Sequence, residues 1–157
     1  MDIRYNIVAE PPDVLGLSPD VVFIATGGIP NTSFLETGQD LVVTGWDILS
    51  GAAKPAASVL LYDDNGAHPG MMAAEFIADA GSRLELVTPE RSLAPDVGGV
   101  NYPAYFRALG KAGVLTTMNT RLAAVRRDGN KLVARLWSDY SKTSVERTVD
   151  QVVVEHG

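Results

Sequence analysis

The sequence predicts an α/β domain, a Rossmann-like parallel sheet with flanking helices plus a three-stranded antiparallel meander. Three observations predict it. Residues 58–88 run from an apolar segment through a Gly-containing loop to helical periodicity and a second apolar segment, the pattern of a βαβ unit. A further helix and strand extend that alternation to residue 117. Beyond it, Asp128-Gly-Asn130 joins two strand-like runs in the manner of a hairpin, and Val145–Val149 adds a third.

In chain order, Tyr5–Ala9 is a short β-leaning piece, and Pro11, Pro12 and Pro19 make residues 10–19 a loop. Asp20–Pro30 reads as a buried strand running into the Gly27-Gly28 turn, followed by a polar connection over 31–40. Leu41–Thr44 suits a short strand, and Thr44 or Gly45 opens a brief helix carrying Trp46, Ile48 and Leu49 to a stop at Gly51. Val59–Tyr62 is apolar without alternation, as in a parallel strand covered on both faces. Met72, Ala73, Phe76, Ile77 and Ala80 recur at helical spacing, with Gly81 placed for a left-handed cap. Leu84, Leu86 and Val87 restore a strand, and Pro89–Asn101 is a loop. Pro103 fits the first turn of a helix over Tyr105, Phe106, Leu109 and Ala112, before a third parallel strand at Val114–Thr117. Residues 122–127, 131–137 and 145–149 form the meander, and Asp150–Gly157 is another buried strand.

Composition narrows the function classes. At 157 residues, with 46% hydrophobic and 20% charged side chains, the chain is of single-domain size and ordinary globular make-up. A net charge of −6 without a Lys/Arg cluster argues against a nucleic-acid partner. No apolar run approaches a membrane span, and Met1–Tyr5 lacks the apolar core of a secretory signal, so a cytoplasmic location is expected. Without cysteine there is no disulfide, thiolate nucleophile or iron–sulfur ligand.

The chemistry of such a fold centres on the loop after its first βαβ strand, here Asp63–Gly70. A dinucleotide fingerprint needs glycine directly after the strand and a second one where backbone approaches the pyrophosphate. Here Asp63 and Asp64 occupy the turn, and Gly66 and Gly70 are four apart. The loop is long as well, with thirteen residues from Tyr62 to Glu75 where the compact motif uses about eight. Two carboxylates at the phosphate position repel an anion. The site reads as degenerate, with Gly66 and Gly70 either loop glycines or a residual anion site.

Other candidates carry plain readings beside functional ones. Glu90 or Arg91, just past the second strand, falls where these folds read the adenosine ribose 2′-position. Thr26, Gly27 and Gly28 stand at a strand's carboxyl end, where nucleotides bind, or form a tight interdomain turn. Asp63 and Asp64 suit a cation, a ribose hydroxyl or simple solvation. His68 is an acid, base or phosphate donor, or an exposed turn residue; His156 ends a strand; Trp46 and Trp137 suit packing. No catalytic residue set and no metal-ligand cluster stands at usable spacing.

Asp20-Val-Val-Phe-Ile-Ala-Thr-Gly27 and Asp150-Gln-Val-Val-Val-Glu-His-Gly157 echo each other around the inserted β-α-β-α-β and meander. That order resembles flavoproteins with two dinucleotide-binding domains, where Ala25-Thr-Gly-Gly-Ile-Pro30 is similar to the strand handing over from the FAD-type to the NAD(P)-type domain. Thr44–Gly51, Leu61–His68, Ala74–Ala78 and Leu86–Pro89 further resemble the C-terminal part of the trimethylamine dehydrogenase and 2,4-dienoyl-CoA reductase group, the old yellow enzyme-like NADH:flavin oxidoreductases.

This resemblance implies a fragment. The parent would carry an FMN-binding TIM barrel, a 4Fe-4S cluster and an FAD-like domain, with ADP, FAD or NAD(P)H as further nucleotides and an electron-transfer flavoprotein as partner. Residues 1–50 would then be edge strands and connection from the FAD-like domain, 51–149 the NAD(P)-type domain, and 150–157 the return strand, lying beside 20–26. The lengthened acidic loop is similar to the amine dehydrogenase or demethylase branch, whose NAD(P)-type domain acts as scaffold, and the fragment alone is expected to bind no cofactor. The competing expectations are a working NAD(P)H module delivering hydride to a flavin, and a non-catalytic interaction domain.

Overall fold

The computed structural model describes residues 3–157; the first two residues of the expected 1–50 unit, and of the stretch read for a signal, lie outside it. The elements are α1 (Pro11–Leu15), β1 (Val43–Thr44), α2 (Gly45–Ser50), β2 (Ser58–Asp63), α3 (His68–Asp79), β3 (Arg83–Val87), α4 (Tyr102–Ala112), β4 (Leu115–Thr117), β5 (Arg121–Asp128), β6 (Lys131–Ser138), β7 (Thr143–Val149) and β8 (Gln151–Glu155). A five-stranded parallel sheet has the order β1-β8-β2-β3-β4, and β5-β6-β7 form a separate antiparallel sheet. The expected α/β class, with parallel sheet, helices and meander, is what the chain adopts.

Strand pleating divides the core in two. Val59, Leu61, Leu84, Leu86 and Val153 point to the helices, where Met71, Ala73, Ala74, Ile77 and Leu109 cover them. Leu60, Tyr62, Val87, Val152 and Val154 point the other way, onto Leu122, Val125, Leu132, Ala134 and Leu136 of the meander. The absence of alternation in β2 follows from this sandwich, since each of its residues is buried on one face or the other. Arg147 of β7 reaches across to Glu85 of β3, Nε to Oε2 at 2.9 Å, and ties the two sheets by charge as well as by apolar packing.

Local signals match their structures closely. The Thr44 side chain accepts the Asp47 amide while Asp47 accepts the Thr44 amide at 2.8 Å, a reciprocal cap that starts α2. Gly51 closes it at φ +80, a conformation that favours glycine. The loop expected over 10–19 contains the one-turn α1 instead. Pro11 and Pro12 preset helical φ, and the Glu10 amide donates to Asp13 Oδ2 at 3.0 Å, enough to close a single exposed turn.

The strand expected at 20–26 is not formed. Phe23 and Ile24 are 90% and 83% exposed, and the segment runs irregularly along the surface. A strand needs a partner edge, and β8, its expected neighbour, already lies between β1 and β2. Residues 20–26 and 150–154 therefore do not pair, although the Asn31 amide donates to the His156 carbonyl at 2.8 Å just beyond both.

Candidate functional site

The chain leaves β2 towards β3 and β4 and returns through the meander to place β8 on the other side of β2. The carboxyl ends of β2 and β8 thus form the point where strand order reverses, the crevice in which open α/β sheets bind ligands. In that parallel pairing Tyr62 stands opposite Val154 and Asp63 opposite Glu155. Strand alternation then sends Asp63 and Glu155 towards the helices, and Tyr62, Asp64 and His156 towards the meander.

On the helical flank, Asp63 is 3% exposed. Its Oδ1 accepts the Asn65 and Gly66 amides, both at 3.1 Å, and its carboxyl lies so close to Gly70, in the first turn of α3, that a side chain there would collide with it. Burial pushes the Asp63 carboxyl up to about 6, against the pull of those two amides, with Glu155 and Asp64 adding repulsion. Glu155 is also buried, and burial raises its carboxyl too; Oε1 accepts from Asn65 Nδ2 at 3.3 Å, while Oε2 has no hydrogen-bond partner among the described residues and sits against Gly45.

This arrangement does not fit a dinucleotide pyrophosphate. The glycine of closest approach, Gly70, has a carboxylate where a phosphate would come. Gly66, at φ +64, is covered by the Pro95 ring, which a side chain would meet at 2.7 Å. Pro69, in the first turn of α3, removes one of the amides that a helix N-terminus offers to an anion. Asp63, Gly66 and Gly70 are brought together as one cluster, with Asp63 Oδ1 already engaged by the Asn65 and Gly66 amides.

The other candidates lie apart. Arg91 is exposed beyond β3 on the rim of a cleft floored by the stacked rings of Tyr102 and Phe106, 4.1 Å between centroids. Thr26, Gly27 and Gly28 lie on the exposed irregular segment, with open space where side chains of the two glycines would be. His68 is held by the Tyr105 hydroxyl at 3.1 Å. Trp46 is half exposed on α2, whereas Trp137 of β6 lines a cavity. Two residues belonging to the site carried no functional reading in the sequence, Glu155 for the carboxylate cluster and Ala67, whose extended conformation caps α3. The available signal is a charged residue ending so apolar a run as Val152–Val154.

On the meander flank, His156 Nδ1 and the Asp64 carboxylate are 2.6 Å apart, and the Tyr62 hydroxyl donates to Asp64 Oδ2 at 3.3 Å. Burial, with the Asp64 charge next in size, raises the Tyr62 phenol and keeps it protonated.

A parallel sheet with a reversal crevice, helices on one face and a meander on the other defines a Rossmann-like α/β domain, here with the Asp63 carboxyl set against Gly70 of the first helical turn after β2. No family model matches the chain. It is 52% identical over 98% of its length to a probable N-methylproline demethylase of Rhizobium meliloti, and 41% identical over its whole length to an N,N-dimethylglycine/sarcosine dehydrogenase of Chromohalobacter salexigens. Among solved structures, a 2-naphthoyl-CoA reductase bound to 2-naphthoyl-CoA superposes on 97% of the chain with TM-score 0.74 and 26% identity. The chain belongs to the trimethylamine dehydrogenase and 2,4-dienoyl-CoA reductase group of flavoprotein oxidoreductases, as a stretch of them. It spans 23% and 24% of the two curated relatives and 22% of the solved reductase. No helix among the described residues is long and apolar enough to cross a membrane.

Proposed function

We propose that this chain is the scaffold NAD(P)-type domain of a larger cytoplasmic FMN and 4Fe-4S amine dehydrogenase or demethylase, and that it does not itself bind NADH or NADPH. The observation carrying the reading is the contact of the Asp63 carboxyl with Gly70, which puts fixed negative charge and bulk into the pyrophosphate's place. Steric exclusion weighs more than the charge, because solvent and salt screen a carboxylate but not a collision. The chain has no cysteine, so ligands for a 4Fe-4S cluster come from elsewhere in the parent, as does the FMN barrel.

The exposed run Val21–Ile24 supports assigning the first part of residues 1–50 to the edge of an FAD-like domain, whereas β1 and α2 within that span pack into the sheet and helical layer of this one. A β-leaning apolar segment without a partner edge suits a sheet built by the remainder of the parent. Residues 150–157 have a double allegiance, contributing β8 to this sheet before leading on towards that domain. The relatives' names support a small methylated amine as the parent's substrate, and the family resemblance alone supports an electron-transfer flavoprotein as its partner.

Calorimetric titration of the purified chain with NADH and NADPH tests the scaffold role. The expected result is no saturable heat below about millimolar nucleotide. Micromolar binding that shifts the Gly66 and Gly70 amide resonances would establish the hydride-delivering alternative instead. Asp63→Gly alone is expected to leave binding absent, since Pro69 and the loop length remain.

A further inference from the structure

The reversal crevice has a second flank that the helix-side carboxylates do not fill. A cavity of about 490 Å³ opens between the carboxyl ends of β2 and β8 and the meander. That volume falls within the range of small-molecule sites, about 300–1,000 Å³. Its walls are aromatic. Phe34 stacks on Tyr62 at 5.5 Å between centroids and packs on His156 at 4.4 Å, and the Trp137 indole lies on the meander side. Arg121 and Arg135 bring two guanidiniums to the same lining. In a chain of net charge −6, this collects three basic side chains, counting His156, against the carboxylates of Glu36 and Asp64.

One detail marks an anion position on this wall. The Asp139 carboxylate bridges two groups of this wall, accepting Arg121 Nε through Oδ2 at 2.5 Å and Trp137 Nε1 through Oδ1 at 3.1 Å. Asp139 is on the turn beyond β6, with its side chain 46% exposed, and solvent weakens an ion pair in that position. The solvent-accessible carboxylate shows that a guanidinium and an indole N–H converge on one anion position beside a set of aromatic faces. Arg135 likewise holds an exposed Glu36 carboxylate.

We propose that this cavity is a binding site for a planar aromatic anion, whose ring lies among Phe34, Tyr62 and Trp137 and whose phosphate or carboxylate replaces Asp139 on Arg121 and the Trp137 indole. Rings stack sequence-tolerantly on aromatic side chains, and guanidinium recognises both phosphate and carboxylate by charge-assisted hydrogen bonds. The site is separate from the Asp63–Gly70 slot and does not depend on that slot being blocked.

The test follows the Trp137 indole N–H resonance of the full 157-residue chain, assigned through Trp137→Phe, during titration with AMP and with indole-3-acetate. The two probes separate the phosphate and carboxylate sources, and adenosine and inorganic phosphate are the half-ligand controls. Saturable movement with Kd at or below about 1 mM for either probe is expected, with adenosine at least tenfold weaker than AMP. Arg121→Gln should weaken binding at least tenfold. Asp139→Asn, which removes the internal competitor, should tighten it severalfold, a direction that loss of structure would not produce. No movement with either probe at about 10 mM, adenosine binding as well as AMP, or weakening by Asp139→Asn would each overturn the proposal. Movement confined to the Gly66 and Gly70 amides would overturn it too, and would count separately against the scaffold reading.

Discussion

The carboxyl of Asp63 rests on the α-carbon of Gly70, so the end of β2 and the first turn of α3 meet through a side chain where a nucleotide-binding loop would leave room for phosphate. Gly70 has ordinary helical φ, and its lack of a side chain serves this close approach alone.

Gly70→Ala sets two effects against each other. Alanine improves helix propensity by up to about 1 kcal/mol, while overpacking a filled site costs about 1–3 kcal/mol. The collision should win, giving a net loss of about 1–2 kcal/mol in urea unfolding. Adding Asp63→Ser should recover at least about 0.5 kcal/mol more than additivity allows. A neutral Gly70→Ala would show that the contact is not tight.

Asp63 should make the chain less stable as pH rises from about 4 to 6. Its carboxyl is raised from 3.8 to about 6, so in that window the folded chain holds a proton that the unfolded chain has released. Above pH 6 the accumulated cost is on the order of 3 kcal/mol. Asp63→Asn keeps the acceptor for the Asn65 and Gly66 amides and removes the charge. The variant should be more stable at pH 7 and converge on the parent near pH 4. Urea midpoints across this range check the sign, which is wrong if the difference grows on acidification. Asp47, lowered by its bonds to Thr44, acts at lower pH and is common to both proteins.

Arg147→Met should cost about 2 kcal/mol, because it leaves the buried Glu85 carboxylate with Thr117 Oγ1, at 2.7 Å, as its remaining hydrogen-bond partner. Methionine preserves much of the apolar stem, so the loss is electrostatic. Glu85→Gln in the Arg147→Met background should restore most of it in the same denaturation assay, and failure to do so would point to packing instead.

Phe23→Asp should change the unfolding free energy of the isolated chain little, within about 0.5 kcal/mol, since the ring is 90% exposed. In the longer flavoprotein proposed above, the same change should lower stability or flavin retention. A large drop in the isolated chain would show that the segment packs on this domain.

The two echoing segments show what the sequence conveyed and what it could not. Val21–Ile24 and Val152–Val154 are equally apolar and each stands shortly after an aspartate, Asp20 and Asp150, yet the first lies on the surface and the second is fully buried. An apolar run reports that a strand wants cover on two faces but not which edges it will find. The β2–α3–β3–α4–β4 order and the meander were legible because period, caps and the Asp128-Gly-Asn130 turn are local. In the site, Asp63, Gly66 and Gly70 were legible from the loop's length and charge. Glu155 was not, because it meets Asn65 across ninety positions of chain, and only the return of β8 beside β2 brings them together.

That return has a consequence for how the molecule is assembled. β8, the last strand in sequence, occupies the second place in the sheet, so β1 and β2 cannot be joined until it threads between them. During synthesis the earlier strands wait, with one flank of β2 open and its apolar faces half covered, while the meander is still emerging. Closure depends on contacts distant in sequence, which are slow to form and leave an unpaired edge exposed meanwhile. Interruption of the chain before residue 151 would therefore remove the sheet's keystone and leave β1 and β2 as two unjoined edges rather than as a slightly shorter domain.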